Sequence, residues 1–306
     1  GMDRLGTVTL AVVPVALLIG LGWVLRRIGL LADPFWQGAE RLCFVVLLPA
    51  LLAHGLGTAD LTGVPVAGMV VAIIVPLLAT AAVLLLIRPR LGIDGPAFTS
   101  VFQGGIRFNN YIGLAASAAL HGAPGVALAA VANAAIVPTV NVLSVLAFAR
   151  FGRAKPSLAG TLKALATNPL ILGCVAGALW QATAAPVPGV VAVALRSLGQ
   201  ASLPIGLLCV GAAFTPRAIW ARPGAAGVSS AAKFVLLPAL TALACAGFGV
   251  RGTAAEVAVL FAALPTASSS YIMARQLGGD APLMAGITTL QTLLSALTLP
   301  LTLALA

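Results

Sequence analysis

A chain of 306 residues that is 60% hydrophobic and 8% charged, with a mean hydropathy of +1.10, excludes an ordinary water-soluble domain. The net charge of +10, from 17 Lys and Arg against 7 Asp and Glu, does not indicate a nucleic-acid binder, because the basic residues fall at the ends of apolar stretches rather than on one polar face. The cysteines Cys43, Cys174, Cys209 and Cys245 stand singly, without CxxC or Cys/His spacing, so neither a disulfide framework nor a metal site is expected.

A membrane-crossing helix needs about 20 mostly apolar residues, and stretches of that length recur along the whole chain. In order they are 6–27, 36–56, 66–87, 95–121, 124–149, 158–181, 188–213, 227–248, 253–278 and 281–304. The reading is an all-α integral membrane protein with ten transmembrane helices. Arg4 is offset by Asp3, and Arg26 and Arg27 follow the first apolar stretch rather than precede it, so that stretch reads as a retained span and not a cleaved signal.

Basic residues alternate between the connections. Arg26, Arg27, Arg88, Arg90, Arg150, Arg153, Lys155, Arg217 and Arg222 fall on one side, and only Arg4 and Arg251 on the other. Counted as positive-inside, this places the connection around residues 150–157 in the cytoplasm and both termini outside. The expected location is the cell (inner) membrane.

The two halves share landmarks in the same order. Pro14 and Gly22 match Pro169 and Gly177; Leu48-Pro49 matches Leu203-Pro204; Pro76 matches Pro238; Tyr111-Ile112 matches Tyr271-Ile272; and Pro138 matches Pro300. The units run over 1–152 and 153–306, five spans each. An odd number of spans makes the second copy enter the bilayer from the opposite side, so the repeats are expected to be inverted, an arrangement recurrent in secondary transporters.

In such proteins the solute site lies near the midplane, where helices are interrupted. The fourth span of each unit carries an interruption. Span 4 reads Gln103-Gly104-Gly105-Ile106-Arg107-Phe108-Asn109-Asn110-Tyr111, and span 9 reads Leu264-Pro265-Thr266-Ala267-Ser268-Ser269-Ser270-Tyr271. Two such breaks facing each other offer helix N-termini to an anion and bare carbonyls to a cation. A guanidinium at that depth is costly, so Arg107 is either a clamp on a substrate carboxylate or a structural partner for carbonyls of the opposite break.

Asn109 and Asn110 are candidate ligands or caps. Ser268, Ser269 and Ser270 are candidate ligands or back-bond to their own helix. Asn133 and Asn141 of span 5 line the same cavity or bridge helices, and Pro49 and Pro204 are candidate kinks in the cavity wall. Arg196, Lys233 and Arg275 read as span-end, snorkelling residues, and His121 as a surface residue closing span 4. No Asp or Glu lies deep in a span, which argues against a carboxylate proton relay and leaves sodium coupling or uncoupled transport open. Membrane-enzyme signatures such as HExxH or paired Asp motifs are absent from the sequence.

The chain resembles the auxin efflux carrier family, which includes plant auxin carriers and bacterial malate and malonate carriers. The likeness rests on LLPALL at 47–52, RFNNYIGL at 107–114, TNPLILG at 167–173, LPIGLLCVGAAF at 203–214, KFVLLPAL at 233–240 and SALTLPLTL at 295–303. It implies that spans 4 and 9 cross at their breaks, that spans 3–5 and 8–10 form an elevator-like transport unit, and that spans 1, 2, 6 and 7 form a scaffold able to dimerise. It also implies an anionic carboxylate near the crossing, where Arg107, Asn109, Asn110 and Tyr111 of span 4 and Pro265 and the serine run of span 9 are the candidate site residues. Ala115 departs from the proline that the family often carries after the Gly-Leu of span 4. A bile-acid-symporter-like sodium-coupled carrier, or a channel or non-transporting sensor, would share much of this plan.

Overall fold

The computed structural model describes residues 2–184 and 186–306, and among them every regular element is helical. The first helix, α1, is Met2–Arg27; α2 is Asp33–Leu42, continued through a π turn at Cys43–Leu47 into α3, Leu48–Gly57; and α4 is Val66–Ile87. Next come α5, Gly95–Ile106; α6, Asn110–Phe151; α7, Leu158–Ala166; α8, Pro169–Thr183; and α9, Gly189–Ala212. The remaining helices are α10, Pro223–Ala231, continued through a π turn at Ala232–Leu236 into α11, Leu237–Gly247; α12, Gly252–Ala262; α13, Ser268–Gln276; and α14, Ala281–Leu305.

Seven helical stretches are long and apolar enough to cross a membrane, and the α7–α8 pair, bent by 48°, makes an eighth. This differs from the ten expected stretches at two places. Residues 95–151 count as one path of 57 residues, although its backbone leaves helical geometry at Gly122 (φ 62°, ψ −145°). In addition, α12 and α13 are too short singly and are separated by the non-helical residues 263–267. Large apolar side chains such as Leu17, Leu86, Val190 and Leu305 point outward, a surface that needs lipid rather than water.

Proline chemistry explains the irregular helices. Pro49 and Pro238 have no N–H for the carbonyls of Val45 and Phe234, and each follows a π turn in which Leu48 donates to Cys43 O and Leu237 to Ala232 O. Pro169 forces Asn168 into extended geometry, where its side chain caps α8 through the N–H groups of Leu170 and Ile171. The expected sixth span is therefore broken at residues 167–168. By contrast, α9 runs unbroken through Pro204.

Small residues set the closest helix contacts. A Cβ on Gly211 would lie 1.7 Å from Ile19 O, and one on Gly22 2.0 Å from Leu208 O, so α1 and α9 touch backbone to backbone. Gly173 and Gly177 bring α8 against Pro49 and Ala53 of α3 in the same way.

Candidate functional site

Both interruptions are real, and they meet. α5 ends at Ile106, and Arg107 (φ −79°, ψ 164°) and Asn109 (φ −91°, ψ 109°) are extended before α6 begins. On the other side α12 ends at Ala262, and the chain is extended at Ala267 before α13 begins. Asn109 N donates to Pro265 O at 2.7 Å, joining one break directly to the other. The span-4 break thus lies ahead of Tyr111 and does not involve Ala115.

Each break frees backbone groups that need partners. Thr266 N, which would otherwise donate to Ala262 O, donates to Gln291 Oε1 at 2.9 Å, and Gln291 Nε2 donates to Gly104 O at 2.8 Å. One buried amide on α14 therefore holds both breaks. Gln103 Nε2 donates to Ser270 O at 3.0 Å, Thr266 Oγ1 donates to Gln103 O at 3.4 Å, and the hydroxyls of Thr266 and Ser270 are 2.8 Å apart.

Arg107 is 8% exposed. Its Nη1 donates to Asn141 Oδ1 at 2.8 Å and to Ser144 Oγ at 3.5 Å, and its Nη2 donates to Ser269 Oγ at 3.0 Å. These acceptors are all neutral side chains. Among the described residues the ion pairs are Arg4–Glu256, Arg26–Asp33, His121–Glu256 and Arg222–Asp280, none of which reaches Arg107. Three buried polar atoms around the break, Gln103 Oε1, Arg107 Nε and Asn110 Oδ1, have no hydrogen-bond partner.

The other sequence candidates divide into three groups. Asn141 and Ser269 accept hydrogen bonds from Arg107. Asn109 caps α6 by accepting from Ile112 N at 3.1 Å, and Asn110 Nδ2 donates to Asn133 Oδ1, with Asn133 in turn donating to Ala129 O at 2.9 Å. Ser270 is buried within the Thr266 pairing, and Ser268 opens α13. The Tyr111 ring packs where a Cβ on Gly206 of α9 would sit.

Pro204 lines a cleft of about 520 Å³ between α1, the first half of α6 and α9, with Pro14, Ala115 and Leu207 among its walls. Pro49 lies apart from it, against Gly173. Arg196 and Arg275 are exposed as expected.

Lys233 corrects the sequence reading. It is 1% exposed and donates from Nζ to Ala262 O at 3.1 Å. The helix containing it starts at Pro223 rather than at residue 227, which carries Lys233 a turn deeper than counted. At the end of the expected fourth span, His121 Nε2 lies 3.0 Å from Glu256 Oε2, while Arg4 holds Oε1 of the same carboxylate at 2.9 Å. Gln291 was missed because nothing near it in sequence marks it, and Ser144, one turn after the candidate Asn141, because a serine in a span can equally bond back to its own helix.

Residues 153–303 match the family described as "Membrane transport protein". A stretch of 118 residues is 27% identical to the "Probable auxin efflux carrier component 5c" of Oryza sativa subsp. japonica, covering 37% of this chain and 32% of the relative. The match therefore takes in about a third of that protein's length. With two apolar helices broken face to face, and with the motifs that mark those breaks, the chain belongs to the auxin efflux carrier family of membrane transport proteins.

Proposed function

We propose that this protein is a secondary transporter that moves a small organic anion, a carboxylate, across the cell membrane by an elevator-like alternating access. The observation carrying this reading is the charge imbalance at Arg107. A buried guanidinium sits beside the first turns of α6 and α13, whose dipoles present positive ends, and only neutral oxygens answer it. An anion at that point relieves a like-sign arrangement that is otherwise costly at this depth.

The inverted-repeat reading supports a carrier over a fixed channel or sensor. The matched glycines make matched contacts: Gly22 meets Leu208, and Gly177 meets Ala53, with Leu208 and Ala53 each four residues after the matched prolines Pro204 and Pro49. Two copies related this way, over 1–152 and 153–306, can build outward-open and inward-open states of similar energy. α1, α3, α8 and α9 then form the scaffold, through which a homodimer could assemble, and the broken helices move against it.

The test is uptake of radiolabelled mono- and dicarboxylates into proteoliposomes, with and without sodium. The unsubstituted protein should show saturable uptake and counterflow for at least one carboxylate, and Arg107→Ala should lose it by 10-fold or more, one bidentate anion contact being worth roughly 1.5–3 kcal/mol. Full uptake by Arg107→Ala would reduce Arg107 to a structural part, and uptake that never saturates would favour a channel.

A further inference from the structure

We propose that Glu256 closes a latch between the broken helices and α1, which holds the carrier in the state seen here and opens in every transport cycle. This rests on the carrier reading above and adds to it the contact that governs exchange between its states.

Three helix ends meet at one carboxylate. Glu256 stands in the second turn of α12, whose far end is the span-9 break. His121 closes the half of α6 that begins at the span-4 break, just before the backbone leaves helical geometry at Gly122. Arg4 lies in the first turn of α1. Arg4 Nη2 meets Glu256 Oε1 at 2.9 Å, and His121 Nε2 lies 3.0 Å from Oε2. The two contacts use different oxygens, so neither partner displaces the other.

One of these contacts lies within a body that packing has already joined. A Cβ on Gly113 would lie 2.6 Å from Leu264 and 2.9 Å from Phe261, and Asn109 N donates to Pro265 O, so the first half of α6 and α12 are locked together. His121–Glu256 adds to that join. Arg4–Glu256 does something else: of the four ion pairs among the described residues, it alone ties α1 to the broken helices.

Next to this pair the two bodies stand apart. The cleft of about 520 Å³ runs between them, with Thr7, Ala11 and Pro14 of α1 on one wall and Ala119 and Leu120 of α6 on another. Thr7 is three residues after Arg4, and Leu120 directly precedes His121, so the ion pair crosses the cleft at its mouth. Apolar walls attract without direction and permit sliding, whereas a charge-assisted hydrogen bond holds one geometry. The side chains of Arg4 and Glu256 are 41% and 34% exposed, so solvent and salt weaken the pair. A latch needs that modest strength, since a much stronger pair would trap the carrier in one state.

The latch can be measured with no solute present. Spin labels are placed at Val190→Cys on α9 and Thr253→Cys on α12, both exposed, the four native cysteines being buried. Double electron–electron resonance in lipid nanodiscs then gives the distances between the two bodies. Arg4→Gln and Glu256→Gln should each shift the ratio of states about 2- to 5-fold away from the one seen here, the range for ion pairs of this exposure. The double variant should shift it no further, and Arg4→Lys, which keeps the charge, should stay near the parent. Raising NaCl should shift the parent in the same direction and leave Arg4→Gln unmoved.

A distribution in Arg4→Gln that equals the parent's or shifts the other way, or single-variant effects that add in the double variant, overturns the proposal. If the variants cannot be purified, the salt series on the labelled parent decides alone, and no change with salt overturns it. Saturable carboxylate uptake by a protein whose distances ignore salt and Arg4 would sink the latch and leave the carrier reading intact, whereas loss of the carrier reading would show in the Arg107 experiment instead.

Discussion

Gln291 shows how a single side chain can set the geometry of a site that it does not enter. Its amide satisfies the N–H of Thr266 and the C=O of Gly104, so one residue on α14 ties the span-4 break to the span-9 break. Replacing it with leucine keeps most of the volume and strands both backbone groups in an apolar interior. Hydrogen bonds between membrane helices average only about 0.6 kcal/mol, but a buried group left unmade costs about 1–3 kcal/mol. Gln291→Leu should therefore lower the melting temperature in detergent by several degrees. Unchanged melting in Gln291→Leu would mean that the breaks are held some other way. Arg107 was legible in the sequence because an arginine at mid-depth is costly, and Asn141 and Ser269 because they are polar at the same level. Gln291 was not legible: a lone glutamine on an apolar helix looks the same whether it holds another helix or its own.

At the scale of elements, the close approach of α1 and α9 decides whether those helices can act as one rigid wall. The Cβ position on Gly211 lies 1.7 Å from Ile19 O and 2.9 Å from Trp23 N, and backbone atoms of a packed helix cannot retreat as a flexible side chain can. Gly211→Val should separate the two helices, lowering both the yield of folded protein and its melting temperature, while the same change at Gly20, where nothing lies within 4 Å, should be tolerated. A Gly211→Val protein as stable as the parent would remove the case for a tight scaffold. The existence of nearly every helix was legible from apolar length alone, since lipid demands it. Their ends and bends were less so. The start of α10 moved to Pro223, which took Lys233 from an expected span end to the interior, and the break at Asn168 was hidden because its flanks are as apolar as an unbroken span. In both places a proline sets the boundary, but composition does not say whether a given proline kinks a helix, starts one or, as at Pro204, leaves it unbroken.

At the scale of the whole molecule, the orientation in the bilayer follows from where the cations lie relative to the helices. Arg150, Arg153 and Lys155 cluster at the end of α6 and the connection that follows it, and Arg88 stacks on Phe151 at 4.3 Å and on Phe98 at 5.7 Å at the same end. The connection after α3, residues 58–65, carries Asp60 and no basic residue. A charge difference of this kind between short connections sets topology during insertion, so residues 152–157 should be cytoplasmic and residues 58–65 external. The four native cysteines are all buried, which leaves a low background for labelling with a membrane-impermeant maleimide. Thr62→Cys should react in intact cells, and Ser157→Cys only after permeabilisation. The two positions lie on connections separated by three expected crossings, an odd number, so equal labelling from outside would remove at once the orientation, the opposed entry of the two halves and the argument that they exchange roles during transport.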